Sequence, residues 1–307
     1  MDLRQLNALV AVADHGGFSA AADALHTVQS NVSAHIARLE RELGATLIDR
    51  SGGRLTQEGE TVLARARRIH AEVDGVIADV NALRHDVRGS CHLGMIGTTA
   101  RWLVPRLLGA LHGSHPGIHL VIVEANSTSL YPQLHAGSLD LAVINLPVAD
   151  KDLISEPLFD EDLVLVVPEG HPLASQSAVG LDVVASLALL LPPPGASFRA
   201  EIDGALGRAN LDLCPPLAEL DGVRLIASLA FDGLGPAILP ATAVPTGPQT
   251  RSWRSLVVNG LPQRRVGIAQ RRRGLPAAPA RAVLELLREV AGHATDPQGM
   301  HVPAATG

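Results

Sequence analysis

Two groups of side chains in this 307-residue chain are placed to bind a partner rather than to break bonds. The first is Gln29, Ser30, Ser33, Ala34 and Arg38, on or beside one face of a segment whose opposite face carries Val32, Ile36, Leu39 and Leu43. A glutamine there can hydrogen-bond an adenine edge in bidentate fashion, and serine and arginine can hold phosphate oxygens. Arg50 and Arg54 flank a Ser-Gly-Gly turn further along, suited to the negative potential of a narrow minor groove. The second group is Thr98, Thr99, Ser127, Ser197 and Arg199, each at the expected start of a helix. Helix N-termini present N–H groups and a positive dipole end, so the expected ligand is a small anionic molecule. Each of these residues alone is also explained as solvated surface or as an ordinary helix cap. Their joint placement is what argues for sites.

The elements that must hold the first group lie between Gly17 and Arg50. Phe18 opens an alanine-rich helix that Ser19 can cap. His26-Thr27-Val28 is a short turn, Thr27 can cap the second helix, and Gly44 ends it. A further helix at 2–14 precedes them. Leu47–Arg50 and Arg54–Thr56 form a hairpin. Two short helices, a turn and a hairpin make a winged helix-turn-helix, whose second helix enters the major groove.

From Glu58 to Arg88 one series, Val62, Ile69, Val76 and Leu83, interleaves with another, Ala66, Val73, Val80 and Val87. The three-four spacing is a heptad seam, which predicts a long dimerisation helix using Val62, Ala66, Ile69, Val73, Val76, Val80 and Leu83. After Gly89-Ser90 strands and helices alternate. Strands are expected at 91–96, 118–123 and 139–144, with helices at 101–111 and 130–136 between them. A crossover at 160–167 leads to a second unit with strands at 187–191, 217–220 and 236–239 and helices at 198–210 and 223–231. A return strand at 265–270 and a last helix at 280–291 follow. This is βαβ order in two lobes joined by two crossovers. The tail from 295 to 307 is polar, with proline and glycine, and is expected to be disordered.

Phe18, Ala21-Ala22, Leu25, Gln29-Ser30, Val32-Ser33, Ile36, Leu39-Glu40, Leu43-Gly44, Leu47, Arg50, Leu55-Thr56 and Gly59 together resemble the winged helix-turn-helix of LysR-type transcriptional regulators. Segments 137–144 (GSLDLAVI) and 231–240 (FDGLGPAILP) look like landmarks of that family's regulatory domain. The resemblance implies a mainly α DNA-binding domain at 1–58 and a linker helix at 59–88. It also implies an α/β, periplasmic-binding-protein-like effector domain at 89–294, with lobe I at about 89–161 and 267–294 and lobe II at about 162–266. It implies double-stranded operator DNA and RNA polymerase as partners, a dimer of dimers, and an effector pocket lined by the second group of residues. Positions 34 and 37 are often basic in such proteins; here they are alanine, and residues 1–58 hold more acids than arginines. Fewer phosphate contacts mean a weak grip by each DNA-binding domain, so several must act together.

Composition limits the rest. A net charge of −6 argues against unspecific nucleic-acid binding but not against a specific reader. Two cysteines, Cys91 and Cys214, suit a reducing compartment and are not placed as a close redox pair. No stretch reaches the ~18 apolar residues of a membrane helix, and a cytoplasmic chain is expected. No metal-ligand spacing, Walker, GxSxG or GxGxxG pattern stands in a suitable context, so no metal, cofactor or catalytic residue is expected. The rival reading is a cytoplasmic α/β enzyme or solute-binding protein with an attached DNA-binding domain. The wing and heptad seam, which an enzyme does not require, tell against it.

Overall fold

The computed structural model describes residues 1–49, 53–84, 86–246, 252–293 and 299–302. The N-terminal part begins with α1 (Leu3–His15), capped by a reciprocal pair: Asp2 accepts from the Gln5 N–H, and Gln5 accepts from the Asp2 N–H. Then come α2 (Phe18–Ala24), α3 (Gln29–Leu43), and the wing of β1 (Ile48–Asp49) and β2 (Arg54–Leu55), paired antiparallel. Gly17, not Ser19, is the N-cap of α2, and no side chain caps it. Leu6, Leu9 and Val12 of α1 pack against Ala21, Ala22, Val32, Ile36 and Leu39 in one core. The alanines of α2 allow that close approach.

α4 (Gln57–Ala82) is capped by Thr56, whose Oγ1 accepts from the Gly59 N–H at 3.0 Å. It ends six residues before the expected 88. Leu63 and Ala66 are buried in the N-terminal core and Val62 packs on it. The expected seam is therefore corrected at its start: Ala66 has no exposure, so it cannot meet a second chain. Val87 lies past the helix and packs on the core of the first lobe.

The first lobe is built on a sheet of order β14-β6-β13-β5-β3-β4. Here β3 is Gly89–Met95, β4 Ile118–Glu124, β5 Leu141–Asn145, β6 Leu153–Glu161, β13 Arg264–Arg271 and β14 Met300–His301. β3, β4 and β5 run parallel, with α5 (Gly97–Ser114) and α6 (Ser127–Ala136) as connections, while β13 is antiparallel to both β5 and β6. The last helix, α10 (Ala278–Gly292), covers the core of Leu93, Leu103, Leu107 and Phe159. The second lobe has the order β10-β9-β11-β7-β12-β8. Its strands are β7 (Leu163–Pro168), β8 (Ala178–Gly180), β9 (Leu190–Leu191), β10 (Ala218–Glu219), β11 (Ala237–Pro240) and β12 (Trp253–Asn259). α7 (Leu181–Ser186), α8 (Ser197–Arg208) and α9 (Val223–Phe231) complete it.

Several described elements have no counterpart in the sequence expectation, among them most of β6, and β8, α7 and β12. The tail expectation is also corrected. Residues 299–302 are ordered, with Met300 and His301 paired to Glu161 and Asp160 of β6 and Met300 packed on the first-lobe core. Residues 294–298 and 303–307 lie outside the described set. Among the described residues no helix is long and apolar enough to cross a membrane.

Gly59 fixes how the wing sits on α4. A Cβ there would lie 2.1 Å from the Leu47 carbonyl oxygen, a backbone atom that cannot swing away. Gly59→Ala is expected to cost about 1–3 kcal/mol through overpacking. A thermal melt of the full chain should show the N-terminal transition moved down; an unchanged melt would mean that the wing has slack.

Candidate functional sites: a reader face and an interlobe cleft

The reader face is α3. Val32, Ile36 and Leu39 are buried, which turns Gln29, Ser30, Ser33, Ala34 and Arg38 outward, where Gln29, Ser30, Ser33 and Ala34 stand clear of the N-terminal core. Val28 is the N-cap and no side chain caps the helix. The expected cap by Thr27 is not made: its hydroxyl accepts from the Asn31 side chain at 2.9 Å. Glu40 was legible only as part of a pattern, and its contacts show its role. Its Oε1 accepts the N–H groups of Leu47 and Ile48 at 2.8 and 3.3 Å, which holds the wing to α3. Arg54 is exposed on β2; Arg50 lies outside the described residues.

On α4 beyond the N-terminal core, Ile69, Val73, Val76, Val80 and Leu83 are exposed, with Ile77 beside them. This stripe is the outward remainder of the heptad seam. The opposite side of α4 leans on the chain's own first lobe: Asp79 accepts from the Ala278 N–H at 2.9 Å and pairs with Arg281 at 3.1 Å.

The interlobe cleft opens at the carboxyl ends of β3, β4 and β5, where parallel α/β sheets bind ligands. Thr98 and Thr99 lie in the first turn of α5, which starts at Gly97 rather than 101. Ser127 opens α6 and accepts from the Asn145 N–H at 3.1 Å. Ser197 is the first residue of α8. Arg199 already has partners within its own lobe. It is buried, donates to Asp203 (2.8 Å) and to the Pro192 carbonyl (3.1 Å), and faces Glu219 at 3.5 Å, so its charge is already matched. The cation that spans the cleft is Arg224 at the start of α9, which is hydrogen-bonded to Glu124 at the end of β4. Glu124 lies over Gly97, where a Cβ would come 2.5 Å from its Oε1. Arg101 of α5 reaches the Phe231 ring from the other lobe, 6.0 Å from the centroid.

Sequence reasoning missed the centre of this region. Arg264 Nε donates to Glu161 Oε1 at 2.9 Å, and its Nη2 donates to Thr98 Oγ1 at 2.9 Å. Glu161 Oε2 accepts from the Thr242 N–H at 2.8 Å. Glu161 and Arg264 are 0% and 5% exposed. The pair joins residues 103 apart in the chain, and no local spacing signals it. Thr99 and Thr242 are buried with their hydroxyl oxygens unpartnered among the described residues. Burial raises the Glu201 carboxyl above the ordinary glutamate range; nearby Arg264 opposes this and Glu161 reinforces it.

The family model described as "LysR substrate binding domain" matches residues 84–292, and "Bacterial regulatory helix-turn-helix protein, lysR family" matches residues 3–60. The chain belongs to the LysR family. It is similar to a probable hydrogen peroxide-inducible genes activator of Streptomyces viridosporus, at 33% identity over 292 residues, covering 94% of this chain and 93% of that protein. The Escherichia coli K12 DNA-binding transcriptional dual regulator OxyR is 30% identical over 292 residues, 94% of each chain. Among solved structures, a full-length OxyR carrying a cysteine-to-aspartate substitution, from Pseudomonas aeruginosa, superposes with a TM-score of 0.76 at 28% identity, covering 96% of this chain and 99% of that one. The chain is thus a LysR-type, sequence-specific DNA-binding regulator with an effector-binding domain, the reading the comparisons support over the rival one.

Two substitutions test the cleft's charges. Glu161→Gln leaves a buried guanidinium without its counter-charge and is expected to cost about 3–5 kcal/mol in urea unfolding. Glu201→Gln acts in the opposite direction. A carboxyl raised in the folded state gives stability that is full below the unfolded value and is lost as pH rises through the folded one. The variant should therefore be more stable than the parent at neutral pH, and the difference should vanish in acid. A difference that does not change with pH would sink that assignment.

Proposed function

We propose that the chain binds operator DNA as a symmetric oligomer through Gln29, Ser30, Ser33, Arg38, Arg50 and Arg54, with Ala34 on the same face making no polar contact. The observation that carries the reading is the exposed, uncapped start of α3 beside the wing arginine. Two chains meet along Ile69, Val73, Val76, Val80 and Leu83 of α4, which sets the separation of two recognition helices on a two-fold site. The full assembly is a dimer of dimers acting in the cytoplasm, and its change of shape alters DNA bending and contact with RNA polymerase.

The effector is a small anion held between the lobes by the α5 and α6 starts, with Thr98, Thr99, Ser127 and Ser197 around it. Arg224 takes the role first expected of Arg199. An effector carboxylate competes with Glu124 for that guanidinium, so binding exchanges one interlobe ion pair for another and shifts the population of lobe arrangements. Several relatives are named for hydrogen peroxide. A reactive thiol needs thiolate character, yet Cys91 is buried in β3 with its thiol pushed well up by burial. Cys214 stands in the other lobe. The regulation we propose therefore does not pass through a pair of these thiols.

Mapping of bound DNA across the genome tests the reading. Sharp sites with two-fold symmetric halves are expected, next to the genes that make or consume the effector; diffuse occupancy would count against it. On such a site Arg38→Ala should weaken binding by about 1–3 kcal/mol, seen as a gel-shift or anisotropy change with a shallower salt slope. The fragment 1–90 should bind less tightly than the full chain, since each domain grips weakly.

A further inference from the structure

Away from both sites, a cavity of about 700 Å³ lies between α4 and the first lobe. Arg65 and Arg68 of α4 form one wall; Arg271 and Arg273 at the end of β13, with His135 of α6, form the other. Arg271 is fixed by backbone alone, donating from Nη1 to the carbonyls of Leu134 and Leu139, both at 3.1 Å. The stem of Arg68 packs over Gly137, where a Cβ would meet its Cγ at 2.8 Å. Neither Arg65, Arg68 nor Arg273 makes an ion pair among the described residues. The carboxylate nearest His135 is Asp150, which that ring holds at 2.7 Å, and Asp152 is the one acid in the lining.

This is unusual for the chain. Its net charge is −6, and Arg199, Arg224 and Arg264 near the interlobe cleft each have a carboxylate. Here four arginines line one hollow, and Asp152 is the acid among the described lining residues. Like charges around a concave wall focus a positive potential. The planar fork of arginine matches phosphate oxygens in bidentate fashion. The volume falls within the range of small-molecule sites. We propose that this cavity binds a small, multiply charged, phosphate-bearing anion. The bound anion bridges α4 to the first lobe and stiffens the joint between the DNA-binding and regulatory parts. The walls belong to two parts of one chain and border a half-open hollow, a concave shape that suits a small anion better than a duplex. The site is separate from the effector cleft and does not depend on that reading.

Calorimetric titration of the full-length protein with pyrophosphate tests it. Saturable binding that weakens with added salt is expected. Arg68→Gln with Arg273→Gln, both free of structural hydrogen bonds, should weaken it by about tenfold or more. Arg65→Gln alone should give a smaller loss in the same direction. Arg254→Gln, in the second lobe and paired with Glu169, should leave it unchanged. Absence of binding to the parent protein overturns the proposal. So does binding that survives the double variant, or that is lost only in Arg224→Gln, which would place the anion in the interlobe cleft. A double variant that weakens operator binding but not pyrophosphate binding would assign the arginines to duplex DNA and likewise overturn it.

Discussion

The buried pair of Arg264 and Glu161 is the contact on which the regulatory half depends. Glu161 is the last residue of β6 and Arg264 the first of β13, and the two stand opposite each other in the ladder. One residue, Asp162, separates β6 from β7 in the other lobe. The pair therefore sits where the chain leaves the first lobe and where it returns. Its other contacts reach the first turn of α5 through Thr98 and the one-turn helix of Ala241–Ala243 through the Thr242 N–H. A buried ion pair is a poor source of net stability, because desolvation consumes most of the attraction. What it supplies here is geometry: both crossovers and two cleft-lining segments are referred to one fixed point.

The C-terminal strand adds to that point. The Asp162 N–H donates to the Gly299 carbonyl at 2.7 Å, and Asp162 Oδ1 accepts from Gln263 at 2.9 Å and lies 3.1 Å from His301 Nε2. Residues from both crossovers and the tail thus meet at the single connecting residue. The lobe movement proposed above would pivot about this cluster, and the exposed Glu124–Arg224 contact is the interlobe ion pair it would exchange. From the same lobe, α10 reaches α4 through Asp79, which gives movement of the lobe a rigid route toward the linker and the reader face.

Helices were legible in the sequence where one face is apolar at a 3.6-residue period. α9 occupies the expected 223–231, and α3 shows its buried stripe plainly. Periodicity does not say which partner covers a stripe, and α4 illustrates the cost. The same seam packs into its own domain at Val62 and Ala66, is bare from Ile69 to Leu83, and packs on the first lobe at Val87. β6 was hidden by Pro157, which reads as a strand breaker. The structure accommodates it with a bulge: Val266 pairs with Phe159 and Gly267 with Pro157, so Leu158 is the extra residue. Gly267 is needed there, since a Cβ would lie 2.4 Å from the Glu156 carbonyl oxygen. The helix-start positions of Thr98 and Ser127 were legible because they follow strands and open helices. The pairing of Arg199 with Glu219 was not legible, because Glu219 belongs to another strand and a distant acid leaves no local mark on the sequence.

The distribution of arginine pairing separates the functions more sharply than composition can. In the cleft, Arg199, Arg224 and Arg264 are each held by carboxylates, so the effector proposed there would gain by exchange rather than by simple attraction. In the proposed effector mode, exchange would make the site selective, because an anion that fits less well than Glu124 would leave Arg224 where it is. On the reader face few cations are offered at all, which keeps unspecific DNA binding low and leaves affinity to the number of domains engaged. At the joint between α4 and the first lobe, by contrast, positive charge is gathered with little compensation. A repulsive cluster at a joint favours separation of its two walls, whereas the Asp79 contacts with α10 favour their closure. Both forces act between exposed charges, so added salt screens them.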